Sequence, residues 1–179
     1  MKTKVLILHG WHGSDAPHWQ DWLYHQLREA GYEVAFPQFS DNMHPSKEVW
    51  LREAQAAYKE IQPTVVIAHS MGNTLWFHLC NEGLVGSVER LLLVAPPRDL
   101  SDYDDVAEFF PVEVKGFCAD EVLMVSSTDD PYMSKAEAAE FARAHSIKQK
   151  VVQNGGHINS ESGFGPWPWV LEWVKKGSG

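Results

Sequence analysis

Residues 64–73 read TVVIAHSMGN. A β-branched apolar run from Thr64 to Ala68 ends at His69, and Ser70 is followed at once by Met71, Gly72 and Asn73. Five apolar or β-branched residues in a row suit a strand buried on both faces, while the residues after Ser70 suit a helix. A serine on a sharp strand-to-helix turn is how a nucleophile is lifted above an α/β sheet. The pattern is G-x-S-x-G with one departure, because Ala68 stands where the first glycine is usual. The competing reading makes Ser70 an ordinary helix cap. The rest of the chain decides between them.

Five further runs resemble the first part of this stretch: residues 4–9 (KVLILH), 32–36 (YEVAF), 90–95 (RLLLVA), 122–126 (VLMVS) and 149–153 (QKVVQ). Helical spacing fills the gaps. Trp19, Trp22, Leu23 and Leu27 recur at steps of three and four within residues 18–29. Residues 46–61, with Ser46 as the expected N-cap, and residues 71–81, 134–145 and 167–176 complete the set. Strands alternating with helices predict a doubly wound α/β sheet with right-handed crossovers. One segment breaks the alternation. Residues 98–116 carry Asp99, Asp102, Asp104, Asp105 and Glu108 and lie between two strands. They are expected to form either a lid or a surface excursion with a short helix.

In an open parallel sheet, ligands bind beyond the carboxyl ends of the strands. The residues following the runs are therefore the informative ones. His9-Gly10-Trp11-His12-Gly13 follows the first, Ser127-Thr128-Asp129-Asp130 the fifth and Gly155-Gly156-His157 the sixth. Acyl transfer needs a serine, a base to take its proton and a carboxylate to orient that base. The chain order Ser70, then Asp129 or Asp130, then His157, is that of the α/β-hydrolase arrangement. The N–H of Met71, at a helix N-terminus, and that of Trp11, in a loop freed by Gly10 and Gly13, are the candidate oxyanion donors. Trp11 and His12 are the candidate substrate contacts. Trp22, Trp50, Trp76 and Trp173 are expected in the core, Trp167 and Trp169 in packing, and His69 in a structural role.

The stretches LILHGWHGSDAPHWQ, VVIAHSMGN, VSSTDDPYM and NGGHINSESGFGPWP together resemble the small α/β-hydrolases of the retinoblastoma-binding-protein-nine type, a family that includes short bacterial serine hydrolases. The resemblance spans nearly the whole chain. It implies a compact α/β-hydrolase fold whose six-stranded, mostly parallel sheet has the order 2-1-3-4-5-6 and helices on both faces. It also implies the triad Ser70, Asp130 and His157, and so selects Asp130 over Asp129.

Bulk properties agree with this reading. The chain has 179 residues, which predicts a single domain over residues 1–176 and a short flexible tail over 177–179. A net charge of −9 argues against nucleic acid and against an anionic membrane surface as partners. Cys80 and Cys118 show neither metal-ligand spacing nor a disulfide framework, so a reducing cytoplasm is expected, with both thiols in the core. His9, His12, His18 and His44 have no zinc-site spacing, so no metal is expected, and no cofactor. The expected activity is a serine hydrolase, carboxylesterase-like, acting on a small ester, thioester or amide through an acyl-enzyme. The alternative is a non-catalytic protein-interaction module that keeps the hydrolase fold. Oligomeric state has no signal in the sequence.

Overall fold

The computed structural model describes residues 2–177; the last two residues of the expected tail lie outside them. Six strands form one sheet: β1 (Lys4–Leu8), β2 (Glu33–Ala35), β3 (Val65–His69), β4 (Val88–Val94), β5 (Ala119–Ser127) and β6 (Lys148–Val152). Their order is β2-β1-β3-β4-β5-β6, and all five pairings are parallel. Among the described residues four α-helices connect successive strands, α1 (Trp19–Glu29), α2 (Lys47–Ile61), α3 (Met71–Asn81) and α4 (Lys135–Ala144), and α5 (Pro168–Lys176) follows β6.

The continuous apolar runs have a simple cause: alternate residues feed two separate cores. Leu6, Leu8, Val66, Ala68, Leu91, Leu93 and Met124 face the core shared with α2, α3 and α4. Val5, Ile7, Val65, Ile67, Leu92, Val94 and Val125 face the one shared with α1 and α5. Fully burying each such aliphatic side chain stabilises the fold by about 1.5–3 kcal/mol. Every residue of α3 from Met71 to Leu79 is buried, the polar Asn73, Thr74 and His78 included, so the helix is enclosed by the molecule. The buried amide of Asn73 and ring of His78 are hydrogen-bonded to backbone carbonyls.

Helix starts follow local chemistry. Ser46 caps α2 by accepting from the Val49 N–H. Ser134 and Glu137 form a reciprocal capping box at α4. Pro168 occupies the first turn of α5. Strand starts were harder to read. Strand β5 begins at Ala119, three residues before the apolar run, because the polar pair Asp120-Glu121 continues the ladder beside β4. Apolar pattern alone does not mark a polar strand end.

Two of the four tryptophans expected in the core are there: Trp50 and Trp76 are fully buried. Trp22 and Trp173 are half-buried instead, and the Arg90 guanidinium covers the Trp173 ring at 4.3 Å. Cys80 and Cys118 are free thiols, half-buried at the edge of the core, not inside it. Among the described residues no helix is long and apolar enough to cross a membrane.

Candidate active site

Strand β3 delivers Ser70 through a strained turn. Ser70 has φ 54° and ψ −126°, a conformation that L-residues avoid and that costs on the order of 1–3 kcal/mol. Surrounding bonds hold it there. The Ser70 N–H donates to the Val94 carbonyl of β4 at 3.0 Å. The Asn73 amide donates to the Ser70 and Val94 carbonyls at 2.8 and 2.9 Å, tying the turn to the neighbouring strand. Although Ser70 stands at the N-cap of α3, its side chain makes no capping bond. Its Oγ lies 2.8 Å from His157 Nε2.

The elbow is also pressed against the end of β1. A Cβ at Gly72 would collide with the Leu8 carbonyl oxygen and lie 3.0 Å from that of His9. A Cβ at Gly10 would lie 2.9 Å from the Met71 nitrogen and 3.0 Å from Ser70 Cβ. Both glycines therefore permit close backbone approach. Ala68 needs no such freedom. It lies within β3, in register with Leu8 and Leu93, and its methyl joins the core.

His157 is reached from the other side by a carboxylate. Its Nδ1 is 3.0 Å from both oxygens of Asp130, whose side chain is only 2% exposed. A carboxylate can only accept, so Nδ1 carries the proton and Nε2 is left to accept from the serine hydroxyl. Asp130 is itself oriented by the Tyr132 N–H at 2.9 Å. A serine hydroxyl bonded to an imidazole that is fixed by a buried carboxylate is an arrangement able to activate the hydroxyl.

Asp129 does different work. Its Oδ1 accepts from Ser127 Oγ and from the Gly156 N–H, both at 2.8 Å, so it braces the loop after β5 against the loop carrying His157. The Gly156 N–H, followed by Ser127, holds its carboxyl below the usual carboxylate range. It caps no helix, since Ser134 does that for α4.

A cavity of about 510 Å³ opens over these groups. Trp11, His12, Ser70, Met71 and His157 all line it, so the structure brings together every predicted site residue except Asp130, which stands behind His157. Trp11 anchors its indole N–H on the Met43 carbonyl at 3.0 Å and stacks on the His12 ring at 4.4 Å. Asp15 and Glu161 line the same cavity. Leu100 is part of its wall, and Tyr103 meets Trp11 edge to face at 5.6 Å. The 98–116 segment is thus a surface excursion with a short 3-10 helix, Ala107–Phe109, that also helps to wall the site. Fully buried Val106 and Phe109 anchor it.

The remaining histidines separate by environment. His9 pins the loop after β1: its Nδ1 donates to the Gly10 carbonyl at 2.8 Å and its Nε2 accepts from the Phe39 N–H at 2.9 Å. His44 is exposed beside Asp41 and Asp105. Burial pushes the His18 ring down to about 4, helped by His157 and His9, and keeps it neutral. His18 Nδ1 accepts from the Gln20 N–H, capping α1. Burial, with His18 and His157, likewise holds His69 well below its ordinary value. Among the described residues no group of three or more His, Cys, Asp or Glu could hold a metal ion. Trp167 and Trp169 pack on one another at 5.5 Å, and Trp167 on Trp19, outside the cavity lining.

Several contributors escaped the sequence reading. Asn73 steadies the elbow, and Tyr132 lays its ring edge to face on His157 at 4.7 Å. Trp19 sends its indole N–H to the Ile158 carbonyl at 2.8 Å. A polar residue in the otherwise apolar start of α3 was a usable signal for Asn73. The roles of Trp19 and Tyr132 depend on distant chain segments meeting.

Comparison with known proteins agrees with this fold. YdeN of Bacillus subtilis (strain 168) is 25% identical over 182 residues, covering 96% of this chain and 94% of that protein. The crystal structure of the ydeN gene product superposes with a TM-score of 0.84 at 23% identity, covering 98% of each chain. Est1E from Butyrivibrio proteoclasticus, with ferulic acid bound, gives a TM-score of 0.69 at 15% identity over 99% of this chain and 88% of that one. These likenesses support a small bacterial hydrolase and not the narrower retinoblastoma-binding-protein-nine name. The profile of the family described as Serine hydrolase matches residues 5–176. An α/β-hydrolase sheet with a serine at its elbow, matched almost from end to end by that profile, belongs to the serine hydrolase family.

Proposed function

We propose that the protein is a carboxylesterase-like enzyme that cleaves a small ester, thioester or amide through an acyl-enzyme on Ser70. The observation that carries this reading is the unbroken chain of contacts from Ser70 Oγ through His157 to Asp130, at 2.8 and 3.0 Å. In the first half-reaction Ser70 Oγ attacks the carbonyl carbon while His157 Nε2 takes its proton. The N–H groups of Met71 and Trp11 hold the developing oxyanion, and His157 returns the proton to the leaving group. Water then attacks the acyl-enzyme with His157 again as base, which releases the acid and restores the serine. Asp130 keeps the imidazole in the required tautomer and offsets the charge it gains.

The size of the cavity supports a small substrate, since about 510 Å³ falls within the range of small-molecule sites. Its lining mixes apolar Trp11, Leu100 and Tyr132 with polar Ser14, Asn159 and Ser162. That mixture suits a short acyl group better than a long hydrocarbon chain. We expect p-nitrophenyl acetate and butyrate to be turned over faster than the dodecanoate, with kcat/KM falling along the series. A preference for the dodecanoate, or turnover of aminoacyl amides alone, would overturn the short-chain ester reading.

A further inference from the structure

The loop that presents His157 is bent against the preference of its own residues. Ile158, immediately after the histidine, has φ 51°. That is the left-handed region, and a β-branched side chain there crowds its own backbone. Gly156, just before the histidine, has φ 55°, which a glycine adopts freely. The strain therefore sits on Ile158.

Two buried donors grip the consecutive carbonyls of this bend. His69 Nε2 is 2.9 Å from the His157 carbonyl oxygen. A carbonyl only accepts, so this nitrogen carries the ring proton and donates. Trp19 Nε1–H donates to the next carbonyl, that of Ile158, at 2.8 Å. Both side chains are buried, at 4% and 0% exposure, and their rings meet edge to face at 5.8 Å. Away from water, a carbonyl turned from its donor loses its partner with nothing to replace it. Each bond thus favours the one loop conformation in which both carbonyls are met. His69 is also the residue before Ser70, so the same side chain belongs to the elbow and grips the loop opposite it.

The geometry points to His69 and Trp19 as positioning residues for the base: together they hold the left-handed bend at Ile158 and so fix the His157 imidazole within reach of both Ser70 and Asp130. The inference rests on the triad proposed above. It extends that triad by a pair of residues that act through His157.

The test compares His69→Gln, His69→Leu and Trp19→Phe in the full chain, with p-nitrophenyl acetate as substrate. Glutamine can place an N–H near the position of Nε2, leucine cannot, and phenylalanine keeps a ring at position 19 without the donor. His69→Leu should lower kcat by about 10²-fold and Trp19→Phe by about tenfold, with KM little changed, because a base displaced by a fraction of an ångström slows chemistry more than binding. His69→Gln should restore most of the loss. The downfield proton resonance of the His157–Asp130 hydrogen bond should be present in the parent and His69→Gln, and broadened or lost in the other two. A merely structural role would change melting temperature and leave that resonance and the kcat-to-KM pattern alone. If His69→Leu does not fold, Trp19→Phe decides. A folded Trp19→Phe with parental kcat and resonance overturns the proposal, as does His69→Leu matching His69→Gln. Ser70→Ala, run alongside, separates the two ideas: parental turnover in that variant removes the triad itself, whereas an inactive Ser70→Ala beside unaffected positioning variants removes only this inference.

Discussion

Replacing Gly72 by alanine would test why the elbow has the shape it has. The added methyl would collide with the Leu8 carbonyl oxygen and sit 3.0 Å from both the Leu8 carbonyl carbon and the His9 oxygen. All three are backbone atoms at the end of β1, so no rotamer change relieves the contact. Strand and elbow must separate by roughly 1 Å to regain ordinary carbon–oxygen spacing. Overpacking of this kind costs about 1–3 kcal/mol, which for a chain of this length lowers the melting temperature by roughly 2–12 °C. The same movement carries Ser70 and the Met71 N–H away from the loop after β1, and a displacement of about 1 Å at a reacting centre costs about 10²-fold in kcat. The assay pairs thermal melting with hydrolysis of p-nitrophenyl butyrate. Gly116→Ala is the control, since nothing lies within 4 Å of its Cβ position. Ala68→Gly is the complement. It should cost about 1–2 kcal/mol, through backbone entropy and the loss of a methyl buried in the core, and gain no activity. A Gly72→Ala protein matching Gly116→Ala in both measurements would refute the close-approach argument.

Other outcomes separate neighbouring residues. Asp130→Asn should reduce kcat by about 10⁴-fold, because the imidazole then loses the partner that sets its tautomer. Asp129→Ala, which removes only the brace between Ser127 and Gly156, should cost on the order of tenfold; steady-state kinetics of the two variants distinguish orientation from bracing. Acid should destabilise the fold through the buried histidines. The His18 ring lies near 4 when folded against an ordinary 6.5, so the unfolded chain binds the extra proton between those values. Stability is fully present above pH 6.5 and is lost as pH falls towards about 4, with His69 shifted in the same direction. Urea midpoints measured down this range should fall, and His18→Asn should make the fall shallower.

How much of this was legible depended on how local each signal was. The sheet was readable because runs such as Val5–Leu8 and Val65–Ala68 alternate into two cores and so carry no polar residues. Ser70, the pair Asp129-Asp130 and His157 stood out because each lies on or in the loop after a strand and the sheet brings strand ends to one edge; only the resemblance separated Asp130 from Asp129. The roles of Ala68 and Gly72 were only half readable. The sequence marks both as elbow positions, but which one touches the β1 backbone depends on how the helix and strand meet. His69 was expected in a structural role, but its partner and that of Trp19 stayed hidden because they lie far along the chain, and the Tyr132 contact because a ring contact leaves no pattern. Burial of Trp22 and Trp173 was overestimated for a related reason: helical spacing assigns a face but not how deeply that face is covered.

The central claim is that Ser70 is the nucleophile, and its most direct test is stoichiometric labelling with a fluorophosphonate followed by peptide mapping. One adduct per chain on the peptide containing Ser70, with loss of p-nitrophenyl ester hydrolysis in proportion to labelling and no labelling of Ser70→Ala, is the result expected. Labelling on another residue, or equal labelling of Ser70→Ala, would contradict it.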